Sequence, residues 1–172
     1  TGHIQIHLPM KKSTNIIMVE DHPEYREIVE MALSRQDDMQ LTDQFGTAER
    51  ALQHLQIGRL DAMPDVILLD VRLPDMSGTE ILDFIQERGL SSAVIMITAH
   101  GSINMAVETM RGGAYDFLVK PFNRQRLVQT LSAALKRESI KQQVIANPKP
   151  VSTKGFQGFI GKSKAMQVIY RM

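Results

Sequence analysis

Apolar residues fall along this chain in two alternating rhythms. Asn15–Val19, Val66–Leu69 and Ala93–Ile97 are short, nearly continuous apolar runs rich in β-branched residues, the pattern of strands covered on both faces. Met39 to Phe45 alternates weakly and reads as an edge strand, and Asp116–Val119 as a short fifth strand. Between the runs, apolar residues recur at helical spacing. They are Tyr25, Ile28, Val29 and Ala32 after His22-Pro23; Ala48, Ala51, Leu52 and Leu55 after Thr47; and Ile81, Leu82 and Ile85 after Ser77. Ala106, Val107 and Met110 follow Ser102, and Leu127, Leu131 and Leu135 follow Asn123. Thr47 and Ser102 are placed as helix caps, Ser77-Gly78-Thr79-Glu80 has the spacing of a capping box, and Gly58, Gly89 and Gly112-Gly113 close helices. Strand and helix alternate five times, which predicts an α/β domain with a parallel sheet and helices on both faces.

What stands at the carboxyl end of each strand carries the chemistry, because open α/β sheets build their sites there. Strand one ends at Glu20 and Asp21, strand three at Asp70, strand four at Thr98 and strand five at Lys120. Taken singly, each is an ordinary turn residue or a solvated charge. Together they form a set that coincidence does not supply. Three converging carboxylates repel one another and call for a raised pKa or a bound cation. Oxygen donors without Cys or His select a hard ion, and Mg²⁺ suits few carboxylates with several waters. A carboxylate nucleophile taking a phosphoryl group, with metal and Lys120 neutralising its oxygens, uses every member.

Composition narrows the alternatives. The chain has 172 residues, 43% of them hydrophobic, which allows a well-filled core. It has no apolar run of about 18 residues, so no membrane span is expected, and no signal-peptide pattern opens it. The absence of cysteine excludes disulfides and fits a cytoplasmic setting. A formal charge of +1, 5% aromatics and no Trp leave neither a basic footprint nor a stacking platform for nucleic acid.

Val19-Glu20-Asp21, Leu69-Asp70-Val71-Arg72-Leu73-Pro74, Thr98-Ala99 and Val119-Lys120-Pro121 resemble the receiver domain of two-component response regulators, over about residues 15 to 136. The resemblance implies a flavodoxin-like (βα)5 fold with strand order 2-1-3-4-5 and Asp70 as phosphoacceptor. It implies Mg²⁺ held by Glu20, Asp21, Asp70 and the Arg72 backbone carbonyl, Thr98 and Lys120 on the phosphoryl group, and Phe117 as a rotating switch beside Thr98. It implies a cis Lys120-Pro121 bond, and a histidine kinase or histidine phosphotransfer protein as partner. Its enzymatic content is limited to taking up phosphate and losing it to water. His100, two residues past Thr98, reads as a surface loop residue.

Ala99-His100-Gly101-Ser102, Ala106-Val107-Glu108 and Gly112-Gly113-Ala114-Tyr115-Asp116-Phe117 are similar to receivers of the NtrC type, activators of sigma-54 RNA polymerase, including quorum-sensing regulators. For such a protein, residues 1–14 are a tail, 15–136 the receiver, 137–154 a helical extension and linker around Asn147-Pro148-Lys149-Pro150, and 155–172 the start of an AAA+ domain. A homodimer is implied, as are contacts with the polymerase and DNA through domains outside this chain. Gly161-Lys162-Ser163 mimics the end of a phosphate-binding loop, but its first Gly would fall on Phe156, so it is not an ATP site. Two rivals fail on single residues. A haloacid-dehalogenase-like phosphatase wants a second Asp where Arg72 stands, and a flavodoxin-like FMN carrier would meet the repelling Glu20-Asp21 pair in its first loop.

Overall fold

A computed structural model describes residues 13–58 and 63–146. The linker at Asn147–Pro150 and the Gly161–Ser163 sequence lie outside the described residues. The chain separates into two compact units, Thr1–Glu138 and Ser139–Met172, and the sheet lies in the first.

The elements alternate as β1 (Thr14–Val19), α1 (Pro23–Leu33), β2 (Met39–Phe45), α2 (Ala48–Ile57), β3 (Val66–Asp70), α3 (Gly78–Glu87), β4 (Ala93–Thr98), α4 (Ile103–Arg111), β5 (Asp116–Val119) and α5 (Arg124–Ala146). All five strands are parallel, in the order β2-β1-β3-β4-β5. The weakly alternating β2 is at the edge, while the continuous runs β3 and β4 are buried along their whole length.

Strand alternation divides the core into two layers. Ile16, Met18, Val66, Leu68, Ile95 and Ile97 meet Val29, Ala32 and Leu33 of α1 and Leu127, Leu131 and Ala134 of α5. Ile17, Val19, Ile67, Leu69, Val94 and Met96 meet Ala48, Ala51 and Leu55 of α2 and Ile81, Leu82 and Ile85 of α3. Each large aliphatic side chain taken out of water contributes about 1.5–3 kcal/mol.

Three helix expectations change. In α1, Ile28 is 43% exposed and Leu33 takes its place in the core. In α4, Val107 and Met110 face solvent and only Thr109 is buried, its hydroxyl donating back to Met105 O and Ala106 O. Apolar spacing marks a face, and the neighbours decide whether it is covered. Thr47 holds the N-cap position of α2 but makes no side-chain cap. The cap comes from Asp75, whose carboxylate accepts from Ala48 N at 2.9 Å and Glu49 N at 2.8 Å. Ser77 does form a capping box with Glu80, and Ser102 Oγ accepts from Met105 N at 3.1 Å. Asn123 Oδ1 accepts from Arg126 N at 2.8 Å, opening α5. Among the described residues no helix is long and apolar enough to cross a membrane.

Candidate functional site

The loop after β3 is folded tightly against the strand it leaves. Gly78 N donates to Val71 O at 2.9 Å, and Arg72 and Ser77 form an antiparallel bridge. A Cβ on Gly78 would sit 2.0 Å from Asp70 O, so only glycine allows this approach. Val71 N donates to Ile97 O at 2.8 Å, tying the same strand end to β4. Asp70 is thereby held at the sheet edge with its carboxylate turned to the loops: Oδ1 accepts from Arg72 N at 2.9 Å and Oδ2 from Lys120 Nζ at 2.6 Å.

Lys120 reaches this position from the end of β5, where its N–H donates to Thr98 O at 2.7 Å and its bond to Pro121 is cis. The ammonium also lies 2.5 Å from Glu20 Oε2 and 4.2 Å from the centroid of the Tyr25 ring. Glu20 is completely buried at the end of β1. Its Oε2 pairs with Lys120 Nζ, as Asp21 Oδ1 does with His22 Nδ1. Burial pushes the Glu20 carboxyl above its ordinary range, against the hydrogen bond and charge of Lys120. Burial pulls the Lys120 ammonium down, but hydrogen bonds from its Nζ to Asp70 and Glu20 outweigh that and hold it charged.

Glu20, Asp21, Asp70 and also His22 can each turn a ligand atom into one space, all within 4.8 Å of one another. His22 Nδ1 lies 2.8 Å from Asp21 Oδ1 and 3.2 Å from Glu20 Oε1. Its imidazole pKa is raised, chiefly by the hydrogen bond to Glu20 and then by the charge of Asp21. Thr98 is buried one residue beyond the register partner of Asp70, and its Oγ1 accepts from His100 N at 3.2 Å. Phe117 pairs with Met96 and is half-buried on the α2/α3 side of the sheet. The chain after Thr98 runs close over this strand: a Cβ on Gly101 would meet Val119 Cγ2 at 2.4 Å and Phe117 Cε1 at 3.4 Å. His100 is exposed.

Residues 16–132 match the family described as the response regulator receiver domain. The chain belongs to that family. This receiver is 43% identical over 126 residues to the regulatory protein LuxO of Vibrio cholerae serotype O1, covering 73% of the chain and 26% of LuxO. It is 31% identical over 158 residues to the DNA-binding transcriptional regulator NtrC of Proteus hauseri, covering 92% of the chain and 32% of NtrC. The chain therefore spans about a quarter to a third of the length of these curated relatives. Among solved structures, the signal receiver domain of a LuxO repressor protein from Vibrio parahaemolyticus superposes with a TM-score of 0.69 at 32% identity, over 77% of this chain and 97% of that one.

In this receiver the strand-end residues Glu20, Asp21, Asp70 and Lys120 come together. Three carboxylates face one ammonium, which leaves net negative charge and a set of oxygen donors, a fit for a divalent cation. Sequence reasoning passed over three residues around them. His22 directly follows the acidic pair in sequence, and that adjacency is the signal for it. Tyr25 has the spacing of a core residue, yet its ring also faces Lys120. Asp75 caps a helix that starts 27 residues earlier, for which no local pattern exists.

Proposed function

We infer that this domain is a phosphorylatable switch with Asp70 as phosphoacceptor. One observation carries the reading: a buried carboxylate held by Lys120 Nζ at 2.6 Å and Arg72 N at 2.9 Å, beside two further acids. A carboxylate oxygen of Asp70 forms a bond to phosphorus while the bond from phosphorus to the imidazole nitrogen of a phosphohistidine donor breaks. The departing imidazole takes a proton from water. Hydrolysis reverses the state, a water oxygen bonding to phosphorus as the acyl phosphate breaks back to carboxylate and phosphate. Glu20, Asp21, Asp70 and the Arg72 carbonyl would hold Mg²⁺, which supplies neutralising charge to the phosphoryl oxygens. Lys120 adds a second positive charge from its place against Asp70. Thr98 Oγ1 accepts from His100 N, so its own proton is available to a phosphoryl oxygen.

The output would leave through Thr98 and Phe117. Drawing the Thr98 hydroxyl toward the phosphoryl group moves the loop that crosses Phe117 and Val119, and the ring gains room to turn inward. That loop leads into α4, whose apolar residues Ile103, Val107 and Met110 are exposed and so offer a surface whose partner can change with the state of Asp70. In a sigma-54 activator of the NtrC type, a sensor kinase or phosphotransfer protein would load Asp70 in the cytoplasm. The altered α4–β5–α5 face would then govern dimer contacts and an AAA+ ATPase that acts on polymerase, with receiver 15–136 joined to it through 137–154.

The test is intact-mass measurement after incubation with acetyl phosphate and Mg²⁺. The wild-type chain gains one phosphoryl group and Asp70→Asn gains none. Labelling of Asp70→Asn at the wild-type rate overturns the assignment.

A further inference from the structure

His22 occupies the N-cap position of α1 with extended backbone (φ −79°, ψ 115°), yet its side chain makes no cap hydrogen bond. Instead the ring turns back over the acids. Nδ1 approaches Asp21 Oδ1 at 2.8 Å and Glu20 Oε1 at 3.2 Å, while the His22 backbone N–H donates to Glu20 Oε1 at 3.1 Å. Pro23 fixes the turn that follows, and Tyr25 meets the imidazole edge to face, ring centroids 6.4 Å apart at 87°. The ring is therefore held from two sides although its side chain is 63% exposed.

Neighbouring ligands in an octahedral shell with bonds of about 2.1 Å stand about 3.0 Å apart. The two Nδ1–oxygen separations bracket that spacing. Independently of the histidine, Glu20 and Asp70 are buried and share the single Lys120 ammonium, so two buried carboxylates have one cation between them. Lone pairs in such a place are expensive to leave unmatched. An imidazole nitrogen and carboxylate oxygens facing one space suit Zn²⁺ and its first-row neighbours, whereas Mg²⁺ gains little from a nitrogen donor.

We propose that His22 is a fourth side-chain ligand of the acidic pocket and tilts its selectivity from Mg²⁺ toward imidazole-binding divalent ions, Zn²⁺ foremost. This rests on the reading of Glu20, Asp21 and Asp70 as a cation pocket. Nδ1 already lies beside the carboxylates it would join in the shell, and on binding the metal takes the place of the proton that Nδ1 shares with them, which passes to water. Mg²⁺, needing only the oxygens, binds with His22 swung aside.

The experiment is calorimetric titration of the whole chain with Mg²⁺ and, under a competing chelator, with Zn²⁺, for wild type, His22→Ala, His22→Gln and Asp21→Asn. Zn²⁺ affinity should fall at least tenfold in both His22 variants while Mg²⁺ affinity stays within about threefold, and Asp21→Asn should weaken both ions. A ¹⁵N spectrum of the imidazoles should place the His22 Nδ1 resonance in the metal-bound range with Zn²⁺ and outside it with Mg²⁺. Unchanged Zn²⁺ affinity in the His22 variants, or equal loss of both ions, overturns the role of His22 while leaving the pocket intact. If Asp21→Asn changes neither titration, the pocket reading itself fails. Zn²⁺ bound at His54, His100 or the tail histidines is recognised by its survival in Asp21→Asn, and all Zn²⁺ binding of that kind likewise overturns the proposal.

Discussion

Helices α3 and α4 are built alike and held differently. Each follows a strand that ends in a site residue, each opens on a serine that caps it, and each carries apolar residues at helical spacing. In α3, Ile81, Leu82 and Ile85 are sealed against the sheet. In α4 the one buried residue is Thr109, and Ile103 is 84% exposed. The loop before α3 is pinned by backbone hydrogen bonds and a glycine pressed onto Asp70 O, whereas the loop before α4 rests on the side chains of Val119 and Phe117. The difference teaches where each can serve. The loop that carries Asp70 must keep its geometry, and a helix with little buried surface costs little to displace.

The sharpest way to break this contrast is truncation. Ile85→Ala in α3 should lower unfolding free energy by about 2–5 kcal/mol, and Val107→Ala in α4 by no more than about 0.5 kcal/mol. Urea denaturation of both variants reads the gap, and comparable losses would mean that α4 is held as firmly as α3. A second pair compares the two loops. Gly78→Ala drives a methyl into backbone atoms of Asp70 and should cost about 1–3 kcal/mol or more. Gly101→Ala meets Val119, a half-exposed side chain that can change rotamer, at about 0.5–1.5 kcal/mol. If thermal melting ranks them the other way, the pinning of the Asp70 loop is misjudged.

A smaller effect concerns the tie between that loop and α2. Asp75→Ala should remove about 1 kcal/mol, the ordinary worth of an N-cap. Partial burial raises the Asp75 carboxyl, but the N–H groups of Glu49 and Ala48 outweigh it and hold the pKa below its usual 3.8. A depressed folded value means that this contribution is complete above the unfolded value and fades as pH falls from about 3.8 through the lower folded one. The stability difference between wild type and Asp75→Ala should therefore shrink below that pH. A difference that stays constant down to pH 2 would detach the carboxylate from the cap.

Legibility followed the range of the interactions involved. Val66–Leu69 and Ala93–Ile97 could be read as central strands because burial on both faces favours an unbroken apolar run. The Ser77 capping box was readable because both halves lie within one turn. The gathering of Glu20, Asp21, Asp70 and Lys120 followed from strand ends sharing one edge. What escaped depended on distant neighbours. Ile28, Val107 and Met110 have the spacing of core residues, but among the described residues they are left 43%, 44% and 45% exposed. Thr47 looks like a cap, yet the stronger acceptor arrives from the loop after β3.

That last contact carries an order in time. As the chain is synthesised, Ala48 leaves the ribosome 27 residues ahead of the carboxylate that satisfies its N–H. The leading amides of α2 stay on water until the loop after β3 brings the Asp75 carboxylate to them. Asp75 thus works as a late clasp: it fastens a helix already made, and it closes when the part of the chain bearing Asp70 is in place. A contact that forms after the folding barrier adds little to the rate of folding and acts instead on the rate of coming apart.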